Sequence, residues 1–157
     1  GSEAAIYLPD LMPFLDENRG SWQIEATVAI RSIGGPATDG HTEPVLTRIA
    51  TASKSHPITQ VEAFGALAEF GTDARNAFSD LASWIKSADL EFDMEQAETA
   101  AITLAAIAPE RVRKDLLTHF VSQIRQGNAS ERTDGTRRLY LMATASDHAI
   151  EILNAEY

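Results

Sequence analysis

Four stretches of this chain, 22–37, 59–74, 96–111 and 133–148, align at a constant spacing of 37 residues. One column of the alignment reads Ile30, Leu67, Leu104 and Leu141, another Ala26, Ala63 and Ala100, and a third Gly34 and Gly71. A fixed period of this length is the mark of stacked supersecondary units, each burying its apolar face only against its neighbours. The repeated apolar positions therefore report packing. Function has to be sought where the register breaks.

The intervals between these columns read as helices. Apolar residues recur at i+3 and i+4 over 4–18, 22–33, 41–52, 58–70, 74–87, 94–108, 109–126 and 131–145, with a last helix starting at Asp147. Pro9 is expected to set a helix start or a kink, and Pro57 to stand in a first turn. Gly34-Gly35-Pro36, Gly71 and Gly127-Asn128 read as stops, with Ser21, Thr72 or Asp73, Ser130 and Asp147 as N-caps. This leaves one opening helix, three pairs and, at the end, 131–145 with the helix from Asp147. Gly1-Ser2 reads as a cleaved-tag remnant, and 3–157 as a single repeat domain, a segment of a longer protein.

The balance of 13 Lys+Arg against 23 Asp+Glu opposes binding to nucleic-acid phosphates and to anionic membranes. The charge is uneven: residues 1–110 carry net −11 and residues 111–157 net +1. The chain has no cysteine, which removes disulfides and thiolate metal sites and leaves the compartment open. No apolar run approaches the length of a membrane span.

Ala26…Ala29-Ile30…Ile33-Gly34 and Ala63…Ala66-Leu67…Phe70-Gly71 resemble the first helix of the HEAT-repeat family, in the compact bacterial style shared with phycobilin-lyase-type repeats. Ala100…Leu104…Ile107-Ala108 is similar, with Ala in place of Gly. Pro44-Val45-Leu46…Ile49 and Leu8-Pro9-Asp10-Leu11…Phe14-Leu15-Asp16 look like its second helix. The resemblance implies an all-α fold, a right-handed superhelix (solenoid) of about four stacked antiparallel helix pairs. Two departures stand out. Where the family carries a ladder of basic residues this chain has Gln23, Gln60, Ala97 and Asp134, and the fourth repeat sets Arg137, Arg138, Tyr140 and Thr144 in apolar positions, as a terminal cap would.

No constellation for catalysis, cofactor or metal emerges. The alternating acids Asp89, Glu91, Asp93 and Glu95 open like a calcium loop, but Met94 stands where glycine is needed and Ala100 where the bidentate Glu belongs. Their simpler role is to complement the dipole of the helix that follows. His41, His56, His119 and His148 are scattered, without the i, i+4 spacing of a metal pair, and no serine has a Gly-x-Ser-x-Gly setting. Arg111, Arg113 and Lys114, with Arg132, Arg137 and Arg138, could form one basic patch. The residues expected to bind a partner lie on second helices, on the face the resemblance makes concave: Arg48, Arg75, Trp84, Lys86, His119 and Gln123. The reading is a non-enzymatic scaffold for a protein or peptide carrying a basic segment, without cofactor, nucleic acid or membrane. Its rivals are a regulatory spacer for an adjoining enzyme domain, a HEAT-like lyase, and a nucleic-acid-binding protein.

Overall fold

The computed structural model describes residues 7–15, 21–33 and 42–145. Among these the chain is helical, with no strand. Helix α1, Leu8–Leu11, has Pro9 in its first turn and runs into a 3-10 turn, Met12–Leu15. It is followed by α2, Ser21–Ile33; α3, Thr42–Thr51; and α4, Pro57–Phe70. Pro57 opens α4 as expected, and His56 caps it, Nδ1 accepting from the Ile58 N–H at 3.3 Å. Beyond α4 come α5, Phe78–Ser87; α6, Met94–Ile107; the short α7, Pro109–Arg111; α8, Thr118–Gln126; and α9, Ala129–Ala145.

Three boundaries differ from expectation. The helix expected over 74–87 is split, because Gly71–Ala77 winds as a 3-10 segment with a kink at Ala74 before α5 begins. Gly71 ends α4 at φ +56°, a left-handed conformation that a side chain would resist, and donates its N–H to Ala68 O. The helix expected over 109–126 is interrupted by a π-helical stretch, Val112–Leu117, between α7 and α8. The cap of α9 is Asn128 rather than Ser130. Asn128 Oδ1 accepts from the N–H groups of Ser130 and Glu131 at 3.0 and 3.1 Å, and Glu131 Oε2 accepts the Asn128 N–H at 2.7 Å, a reciprocal capping box. The expected stop at Gly34-Gly35-Pro36 and the helix from Asp147 lie outside the described residues.

The register maps onto the core. Ile30, Leu67, Leu104 and Leu141 are at most 3% exposed, and Ala26, Ala63 and Ala100 at most 5%. Each buried Leu or Ile contributes about 2 kcal/mol of apolar transfer, while the alanines let backbones approach. In space α2 touches α4, α4 touches α6 and α6 touches α9, so helices one period apart are neighbours. On the other side α3 touches α5, and α3, α5 and α8 pack against α4, α6 and α9 respectively.

Polar residues at fixed register tie these helices end to side. Gln23 Nε2 donates to Leu15 O at 3.0 Å, and one period on Gln60 Nε2 donates to Ala50 O and Ala52 O at 3.2 and 3.0 Å. In both cases a buried amide satisfies carbonyls at the end of the preceding helical segment, which has exhausted its own donors there. The third position is Ala97, which has no donor. The end of α5 is instead held from α9 by Arg138, whose Nε and Nη2 donate to Ile85 O and Ala88 O at 3.0 and 2.8 Å. The positions that depart from a basic ladder thus hold two amides, with one buried arginine arriving from the next neighbour.

Candidate functional site

The six residues expected to meet a partner are distributed along α3, the α5 region and α8. Arg48, Arg75 and Lys86 are exposed, while Trp84, His119 and Gln123 are half-buried. Trp84 turns inward: its ring packs on Phe64 at 5.1 Å between centroids, and it touches both the main core and a small cluster of Leu90, Ala97 and Leu141. Gln123 packs toward α9, and its Oε1 is buried without a hydrogen-bond partner among the described residues. His119 lies near Lys86 and Arg138; burial first, and then these two positive charges, push its imidazole below the ordinary value. Thr47, next to Arg48 on α3, is buried and donates to Glu43 O at 2.8 Å. Among the described residues, α3, α5 and α8 display no exposed large apolar side chain.

The basic residues do not assemble into one patch. Arg111 lies over the Phe78 ring at 4.1 Å, and its Nε pairs with Asp115 at 3.3 Å. Arg113 pairs with Glu110, Arg138 is buried under α5, and Arg137 points to Glu91 at 3.8 Å. The acidic string 89–95 is a turn tied by its own side chains: Asp89 Oδ1 accepts from the Glu91 N–H, and Asp93 Oδ2 from the Asp89 N–H. No group of three His, Asp or Glu side chains among the described residues is arranged to hold a metal. His41 and His148 lie outside the described residues.

A concavity opens elsewhere, between α6 and α9. It has a volume of about 790 Å³. Buried Leu90 and Leu141 form its floor, with Trp84 packed against their cluster from inside. Its walls carry Met94, 44% exposed, and Tyr140, 64% exposed, with Glu91, Glu98 and Arg137 around them. Phe92, at 82% the most exposed large apolar residue among those described, stands on the adjoining turn. Of the other exposed large apolar residues on helices, Trp22 and Val28 are on α2, Ile58 on α4 and Ile102 on α6. Among the described residues, apolar exposure on the α-helices beyond the first thus belongs to the row α2, α4, α6 and α9, opposite in character to the polar α3, α5 and α8, while Phe14, 39% exposed, stands on the 3-10 turn.

Sequence reasoning marked Tyr140 only as a departure from the repeat and assigned nothing to Met94 beyond its misfit in a calcium loop. A signal was available: Tyr140 stands one residue before the buried column of Leu141, on a helix whose apolar stripe it does not join. No family model matches the chain, and neither a curated protein nor a solved structure is significantly similar to it. No helix among the described residues is long and apolar enough to cross a membrane.

Proposed function

We propose that this chain is a HEAT-like solenoid of stacked antiparallel helix pairs, and that it serves as a non-enzymatic scaffold holding a partner protein or peptide. The observation that carries the architecture is the succession of contacts α2 to α4 to α6 to α9, in which helices one 37-residue period apart are spatial neighbours. The observation that carries binding is the apolar groove of α6 and α9, with Tyr140 and Met94 exposed above a packed floor. Aromatic anchors over a rigid apolar base are the usual energetic centres of protein interfaces. The polar face of Arg48, Arg75 and Lys86 is the second surface on which a partner could rest, and it lacks such anchors.

The test is affinity capture from the source cells with three immobilised baits: wild type, Tyr140→Ala, and Arg48→Ala/Lys86→Ala. All substituted side chains are exposed, so the fold is retained and circular dichroism checks it. A partner lost only with Tyr140→Ala supports the groove, and one lost only with the double variant moves the scaffold to the second-helix face. Identical retained proteins on all three baits would refute partner binding by either surface.

A further inference from the structure

We infer that the α6/α9 groove receives a basic amphipathic segment of another protein, its apolar side chains entering between Met94 and Tyr140 and its Lys or Arg residues meeting Glu91 and Glu98. This rests on the scaffold reading and adds the chemistry of the partner.

Charge complementarity selects the occupant. Residues 87–110 contain Asp89, Glu91, Asp93, Glu95, Glu98 and Glu110 and not one Lys or Arg. The groove and its adjoining turn therefore lie on the most one-sidedly acidic part of the chain. The base that enters this field from α9 is Arg137, and its pairing with Glu91 is long at 3.8 Å, with both side chains at least half exposed. Such a pair is worth under about 1 kcal/mol and yields readily to a cation delivered with an apolar anchor. Glu98, exposed on the groove wall, makes no ion pair among the described residues. An acidic segment would meet repulsion from Glu91 and Glu98, and an anionic membrane surface is disfavoured on the same ground.

The shape selects a segment over a small molecule. Small ligands are held by burying most of their surface in an enclosed cleft. Here Tyr140, Met94 and Phe92 project outward from the rim and the turn. They offer a stripe to something that lies across them, as an amphipathic segment does when it lays its apolar face into a groove. The floor is rigid, because Leu90 and Leu141 are buried and backed by Trp84, so binding costs little reorganisation. Trp84, expected from the sequence to bind a partner, supports the floor instead of touching the partner.

The probe is a fluorescein-labelled peptide of about 16 residues made of Leu and Lys, with the leucines at helical spacing, and the control replaces each Lys with Glu. Anisotropy titrations at about 50 mM salt are expected to give saturable binding of the Lys peptide, about tenfold or more tighter than the Glu peptide and weakening as salt rises. Tyr140→Ala and Glu98→Lys should each weaken it about tenfold. Arg75→Ala/Lys86→Ala should leave it unchanged. Equal binding of the two peptides, no saturable binding, or indifference to Tyr140→Ala overturns the proposal. So does a salt-independent dimer of the chain lost in Tyr140→Ala, since a second copy would then be the occupant. If the peptide fails while capture from cells still depends on Arg48 and Lys86, the groove assignment falls and the scaffold reading stands. If neither surface matters in either assay, both fall.

Discussion

Arg138 offers the sharpest energetic prediction. Its guanidinium is buried at 7% exposure and donates to Ile85 O and Ala88 O, the carbonyls at the end of α5. Replacement by Met keeps most of the stem's packing and removes the donors. Two charge-assisted hydrogen bonds are worth about 1.5–3 kcal/mol each, and their loss strands two carbonyls at the negative end of a helix dipole. Against this stands the desolvation of the charge, which Met relieves. The net expectation is a loss of about 3 kcal/mol, or about 10 °C in midpoint for a chain of this size. Arg138→Lys should recover about half, since an ammonium cannot match the planar fork across two carbonyls. Asp134→Ala should cost under about 0.5 kcal/mol, because that carboxylate is 3.9 Å away and half exposed. Urea unfolding followed by circular dichroism, with unchanged slope, reads all three. Arg138→Met within about 0.5 kcal/mol of wild type would refute the claim that α9 holds the end of α5 through this side chain.

Three further predictions follow from local geometry. A Cβ at Gly135 would stand 3.0 Å from both Phe120 O and Gln123 Cβ, so Gly135→Val should separate α8 from α9 and cost about 2 kcal/mol or more in the same urea assay. Asn128→Ala removes the acceptor of the α9 capping box and should cost about 1 kcal/mol, whereas Ser130→Ala should cost almost nothing; equal losses would return the cap to Ser130. Burial, Lys86 and Arg138 depress the His119 imidazole below its ordinary 6.5, so the unfolded chain takes up the proton first. The stability from neutral His119 is therefore full above pH 6.5 and lost as pH falls toward the depressed native value. His119→Gln should flatten that part of the stability–pH curve, and an unaltered slope would contradict it.

The period was legible because packing repeats: Ile30, Leu67 and Leu104 are buried at equivalent places, and the alanines beside them lie where helices meet. Its polar counterpart was visible and misread. Gln23 and Gln60 stood out in the sequence as a missing basic ladder. Their role depends on where the carbonyls of the preceding segment end, which is a tertiary fact. Arg138 could not be assigned for the same reason, since its partners lie 53 and 50 residues away. The capping box at Asn128 and Glu131 was readable from spacing alone, but the neighbouring serine drew the assignment. The 3-10 segment after Gly71 and the π-helical stretch after α7 left no compositional mark. The groove escaped because an exposed Tyr140 and a buried Leu141 are adjacent letters, and only the packing of α9 on α6 separates their roles.

Photo-cross-linking decides most directly which row of helices meets a partner. A benzoylphenylalanine is placed at Tyr140 on α9 or, separately, at Ser83 on α5, and each protein is irradiated with the Leu/Lys peptide. Cross-linking from position 140, suppressed by excess unlabelled peptide and absent from position 83, is the predicted result. Cross-linking from position 83 and not from 140 would contradict the account and put the partner on the polar face of α3, α5 and α8.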